Sequence, residues 1–200
     1  EHGRPNEKMI QYFLARAKGG VGLLTSGLVP ISDGIDNTVQ EPDKKVMMPR
    51  ISPARTLMSG WRDLAQGCHA YGSRFFIQLT PGLGRVGPPT CLVQQHKFPV
   101  SASFNPNFYI PEVPCMRLTD HSLNKIIKNA GQAAADAKEC LIDGVYLHGH
   151  EGYLLEQMTN KAFNHRKMGK FADWQRFGID MVKEIRNRVG PNYPIMYRID

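Results

Sequence analysis

Apolar residues recur at helical spacing in four segments of the chain, and each segment is followed by glycine and then a short, continuous apolar run. Met9, Ile10, Phe13, Leu14 and Ala17 define a helix from about Asn6 to Lys18, with Asn6 as N-cap and Gly19-Gly20 as its stop. Val21 to Thr25 then reads as a buried strand with Ser26-Gly27 at its C-terminal end. The order repeats as a helix over Thr56 to Ala70, Gly72 and the strand Arg74 to Leu79. A third copy runs from a Thr119 cap through Ile126, Ile127, Ala130, Ala134 and Ala137 to Gly144 and the strand Val145 to Leu147. The fourth places a helix from about Asp173 to Val189, then Gly190 and the strand Ile195 to Ile199.

Strands that read as unbroken apolar runs are buried on both faces, and a helix before each supplies the crossover that parallel pairing needs. The fold class is therefore α/β with a parallel sheet. An open doubly wound sheet and an eight-stranded βα barrel both fit, and both bind ligands beyond the C-terminal ends of their strands. Here the loops after the strands are the long ones, Pro30 to Pro53 and Thr80 to Pro114, so the functional face is the same in either case.

Composition narrows the class. The 200 residues are 42% hydrophobic and 22% charged, enough for a sizeable core and unlike a disordered chain. The net charge of +7 is scattered, with Lys44-Lys45 and the Arg186 to Arg188 neighbourhood as the local pairs, so it reads as a solvated surface without a nucleic-acid partner. No apolar run approaches the roughly 20 residues that span a bilayer, so no membrane partner is expected. No signal peptide opens the chain, and a cytoplasmic location follows as the default. Cys68, Cys91, Cys115 and Cys140 stand more than twenty residues apart and read as reduced packing residues.

The densest chemistry lies in Asp143 to Leu155, DGVYLHGHEGYLL, where His148, His150, Glu151 and Tyr153 follow directly on a strand. His148 and His150 at i and i+2 would point the same way if strand geometry continued, which suits a metal, but HxH is short and unspecific, and apart from Glu151 and Asp200 no carboxylate or histidine stands at another strand end to complete a site, so no metal is assigned. Gln78 and Arg198 interrupt two apolar strands near their ends, where a buried amide or guanidinium needs protein partners or a polar ligand. Ser26-Gly27 at the equivalent end of another strand would give an uncrowded wall. Gly82, Gly84 and Gly87 match GxGxxG, but Pro88-Pro89 forbid the helix that a dinucleotide fingerprint must open.

With these residues identified, the sequence resembles the flavin-dependent ene-reductases of the old yellow enzyme family, in particular the 2,4-dienoyl-CoA reductase-like and bile-acid-oxidoreductase-like branch. The resemblance rests on ARAKGGVGLL (Ala15 to Leu24), WRDLAQGCHAYGSRFFIQL (Trp61 to Leu79), Gly84-Arg85, DGVYLHGHEGYLLEQ (Asp143 to Gln157), Asn164 to Arg166 and VKEIRNRVGPNYPIMYRI (Val182 to Ile199), in family order. It implies a (β/α)8 TIM barrel of which residues 1–200 form one incomplete flavin-binding domain, about units two to five. It also implies FMN as cofactor, NAD(P)H as co-substrate, and hydride transfer from the flavin to an activated C=C bond of an unsaturated carbonyl or acyl-CoA compound.

On this resemblance Gln78 and Arg198 are cofactor-binding, at the flavin pyrimidine and at N1 and O2, and Ser26 and Gly27 line the isoalloxazine. Tyr153 matches the proton donor, His148 the first residue of the carbonyl-binding pair, and Glu151 stands where many members carry histidine or asparagine. The segment Lys167 to Trp174 departs from the family's YGGS-type text. The first strand and the last three are missing, as are the sites for a 4Fe-4S centre and FAD that the full-length protein would carry in some branches. An open half barrel is expected to bind FMN weakly or not at all when isolated. A homo-oligomer is compatible with all of this. The rival readings are a barrel metallohydrolase built on His148 and His150, and a non-catalytic scaffold.

Overall fold

The computed structural model of the protein describes residues 3–32, 34–39 and 48–199. Asp33, Glu41-Pro42, Lys44-Lys45 and Asp200 lie outside the described residues. Helix α1 (Glu7–Lys18) starts as its pattern predicts, with the Asn6 side chain accepting from the Met9 N–H. Strand β1 (Leu23–Pro30) follows, then α2 (Arg55–Ala70) and β2 (Arg74–Thr80). A long excursion carries the short α3 (Cys91–Gln95) and a small second sheet of β3 (Val100–Ser101), β4 (Asn105–Pro106) and β5 (Pro114–Arg117). Helix α4 (Asp120–Glu139), capped by Thr119 onto the Ser122 N–H, leads to β6 (Gly144–Gly149), the short α5 (Leu154–Thr159), α6 (Arg176–Val189) and β7 (Ile195–Ile199).

The main sheet is parallel, in the order β1-β2-β6-β7. Strands laid down in sequence order, each after its helix, make an arc of a barrel; a doubly wound sheet would reverse order partway. The alternation along the strands sets the two faces. Phe75, Ile77 and Leu79 of β2 and Val145 and Leu147 of β6 are fully buried in the core with Trp61, Leu64, Ile126, Ala134, Met181 and Ile185 of the surrounding helices. The opposite, concave face therefore carries Phe76, Gln78, Thr80, Tyr146, His148, Met196 and Arg198.

Two strand boundaries differ from the sequence reading. Pairing in β1 does not end at Thr25. Thr25 pairs with Phe76 and Leu28 with Gln78, so three steps on β1 match two on β2, and a bulge at Ser26-Gly27 absorbs the extra residue. Ser26-Gly27 is thus inside the strand, not at its end. Pairing then resumes to Pro30, tolerable there because β1 is an edge strand. Strand β6 likewise continues past Leu147, which puts His148 inside the sheet. Helix α6 begins at Arg176, three residues late, because the Asp173 carboxylate accepts the Gln175 N–H in a local turn.

Arg198 also departs from expectation. The apolar run predicts a costly buried cation there, yet Arg198 is exposed, as are Met196 and Ile199 on the same strand. Strand β7 is an edge of this sheet, so nothing among the described residues covers its far side.

Candidate active site

The register brings the predicted polar residues together on the concave face. Gln78 pairs in register with Tyr146, and one pleat step further His148 pairs with Arg198. Gln78 is buried, and its N–H donates to Ser26 Oγ at 2.8 Å. That contact explains the bulge: Ser26, itself bonded to the Gly27 carbonyl at 2.8 Å, turns its hydroxyl toward β2. Gly27 has nothing within 4 Å of where a Cβ would stand, so the wall there is open.

His148 is 2% exposed, and neither ring nitrogen has a hydrogen-bond partner among the described residues. Its Nε2 lies 3.6 Å from a Glu151 carboxylate oxygen, beyond hydrogen-bond range. Burial pulls its pKa below the ordinary histidine value, Arg198 and His150 push the same way, and Glu151 opposes them. A neutral, unpartnered imidazole in a buried position is a donor and an acceptor still to be satisfied. The ring of Tyr153 stands 5.1 Å from that of His148, tilted by 42°. Burial raises the Tyr153 pKa, with Glu151 and then Tyr109 adding to it, so the phenol keeps its proton at neutral pH.

Tyr153 reaches this place through a left-handed turn. Glu151 has φ +65° and Gly152 φ +71°, and the chain then enters α5 with Tyr153 as its first cap position. Glycine accepts such a backbone freely; glutamate does so at a cost of about 1–2 kcal/mol. His148 and His150 do approach each other, with ring centroids 6.4 Å apart, but no third histidine, cysteine, aspartate or glutamate joins them into a metal-holding group among the described residues.

Two residues that build the site were not visible in the sequence pattern. Gln157, fully buried on α5, accepts from the Arg85 N–H and the Ser101 hydroxyl and donates to the carbonyls of Leu83 and Gly152. Asp36, also fully buried, accepts from Thr38 and from the Gly84 N–H at 2.9 Å, and burial raises its pKa. Both clamp the glycine-rich turn after β2. The GxGxxG spacing finds its reason here: a Cβ at Gly82, Gly84 or Gly87 would stand 2.4, 2.5 or 2.1 Å from Asp36, Gln157 and Thr38 respectively. A short 3-10 turn over Gly84–Val86 follows, not a long helix.

The degenerate stretch after Arg166 is held by that arginine. Its guanidinium donates to the Ala102 and Leu118 carbonyls and to Asp120, while the Lys170 N–H donates to the other Asp120 oxygen. All four cysteines are free and buried, as expected of packing residues. No helix is long and apolar enough to cross a membrane among the described residues.

The model of the NADH:flavin oxidoreductase / NADH oxidase family matches residues 1–200. The chain is 34% identical over 200 residues to a cinnamate reductase of Clostridium sporogenes, covering 98% of this chain and 29% of that protein. It is 30% identical over 201 residues to an NADH oxidase of Thermoanaerobacter brockii, covering 99% of this chain and again 29% of the relative. The chain thus spans less than a third of the length of these two curated relatives. The structure of morphinone reductase in complex with tetrahydroNAD superposes with a TM-score of 0.79 at 23% identity, over 98% of this chain and 55% of that one. That likeness speaks for the fold, a partial barrel.

Proposed function

The chain belongs to the NADH:flavin oxidoreductase / NADH oxidase family, and from that premise we propose that it is the segment of an NAD(P)H-dependent ene-reductase that faces both flavin and substrate. The observation that carries this reading is the convergence of Gln78, His148 and Arg198 on one concave sheet face, with Tyr153 beside His148. Residues 1–200 would then be part of one barrel domain.

When bound, FMN would take a hydride from NAD(P)H and deliver it to an activated C=C bond. The residues present fit that group. The buried Gln78 amide offers a donor and an acceptor to a planar heterocycle edge, and the Ser26-Gly27 bulge leaves room beside it. Arg198, held one pleat step on, supplies fixed positive charge where an anionic reduced ring needs it. His148 donates from a neutral ring to the substrate carbonyl, with the Glu151 carboxylate at its flank. Tyr153 gives its proton to the carbon next to the carbonyl; a phenol serves because the carbanion it meets is far more basic. The likeness to a cinnamate reductase supports an α,β-unsaturated carboxylate or acyl substrate.

The test is Tyr153→Phe in the full-length protein. Flavin reduction by NAD(P)H should be spared, and alkene reduction should slow by about 10² or more. Equal loss of both half-reactions would remove Tyr153 from the proton-donor role, and a full-length protein without flavin would favour the scaffold reading.

A further inference from the structure

The excursion between β2 and α4 presents an unusual run of exposed apolar side chains, with Phe108 58% and Tyr109 60% exposed beside Phe104 and Ile110. Aromatic side chains gathered in water mark a contact surface. Their backbone is nevertheless fixed. Asn107, fully buried, donates to the Arg85 and Gly87 carbonyls at 3.0 and 2.9 Å, and its Oδ1 accepts the N–H groups of Tyr109 and Ile110. The Phe108 N–H donates to the Arg85 carbonyl at 2.9 Å, and the Phe108 and Tyr109 rings meet edge to face at 5.3 Å. The Arg85 guanidinium stands 5.9 Å from the Phe108 ring centroid.

The turn that holds this pair also holds the proton donor. On its other flank a Cβ at Gly152 would meet Val86 Cγ2 at 3.2 Å, and Gln157 joins the Arg85 N–H to the Gly152 carbonyl. Tyr109 and Tyr153 therefore flank one rigid turn, Tyr109 through Asn107 and Tyr153 through Gly152.

Resting on the ene-reductase reading above, we propose that Tyr109 is a specificity-determining residue: its ring is the outer wall of the substrate site and stacks on a flat aromatic substituent of an enoate whose alkene carbon Tyr153 protonates. A tyrosine suits this position because its anchored backbone leaves two side-chain torsions to fix, so little entropy opposes the stacking. Phe108 packs edge to face against that ring.

The experiment uses the full-length, flavin-loaded protein with Tyr109→Ala, Tyr109→Phe and Tyr153→Phe, assayed on cinnamate and on the short alkyl enoate crotonate. Tyr109→Ala should raise KM for cinnamate about threefold to tenfold relative to crotonate, the size of one aromatic stacking contact. Tyr109→Phe should keep the wild-type ratio, since stacking needs the ring and not the hydroxyl. An unchanged ratio in Tyr109→Ala overturns the assignment, as does a Tyr109→Phe variant that behaves like alanine, which would point to a hydrogen bond instead. Flavin content equal to wild type shows that the variants fold. If the wild-type protein reduces neither enoate, the ene-reductase reading fails; if Tyr153→Phe slows the reaction while the Tyr109→Ala ratio stands still, Tyr109 alone is excluded.

Discussion

His148 and Tyr153 stand with their rings 5.1 Å apart although one lies within β6 and the other caps α5, because Glu151 and Gly152 reverse the chain through left-handed backbone. A buried donor and a protonated phenol are thus placed side by side. The arrangement depends on neighbours that lie far away in sequence.

The first consequence concerns pH. His148 has its pKa depressed from the ordinary 6.5, chiefly by burial. The unfolded chain then binds more protons, so stability is full above 6.5 and falls as pH drops through the window below it. Measured across that range, the unfolding midpoint of wild type should fall relative to that of His148→Asn as pH drops. Glu151→Gln removes the charge that opposes the depression, so the His148 titration followed by NMR should move further to acid.

A second prediction lies at the opposite end of the sheet. Asp143 accepts the Phe75 N–H and an Arg74 N–H at 2.9 Å each and sits 2.7 Å from His69 Nε2. Burial works to raise its pKa, yet the Phe75 N–H, His69 and Arg74 together hold it below 3.8. Its contribution is present above that value and lost as pH falls through the lowered pKa. Asp143→Ala, which leaves a buried N–H unpaired, should cost about 2–3 kcal/mol in urea denaturation at neutral pH.

Third, the turn after β2 should be sensitive to its clamps. Gln157→Ala strips four backbone and side-chain partners at a fully buried position and should destabilise the protein by about 3 kcal/mol. Gly84→Ala combines φ +59° with a Cβ 2.5 Å from Gln157, and about 1–3 kcal/mol is expected. Thermal melting of each variant checks both, and a double variant should lose less than the sum because the two residues touch.

Fourth, the isolated 200-residue chain should bind FMN weakly or not at all. Arg198 is exposed and Ile199 is 78% exposed on an edge strand, so among the described residues this side of the concave face has no wall. Titration of the purified chain with FMN, followed by flavin fluorescence, should show no saturation at micromolar concentrations; a tight yellow complex would contradict this.

The sequence by itself determined the repeating helix-strand order, the parallel sheet and the face on which chemistry gathers. Those follow from local periodicity, caps and glycine stops, which act within a turn or two of the chain. It also marked Gln78 and Arg198, as polar residues interrupting apolar runs, and His148 and Tyr153, as members of a dense polar cluster directly after a strand. It placed Ser26-Gly27 at a strand end, whereas only pairing with β2 shows that the two residues form a bulge held by the Gln78 N–H. Periodicity left an open sheet and a barrel both possible, and the barrel implied by the family resemblance is the order the strands take; tertiary structure alone decided that Arg198 stands exposed and that Asp36 and Gln157 hold the glycine-rich turn. Each depends on partners tens of residues away, and hydrogen bonds over such separations leave no period in a sequence.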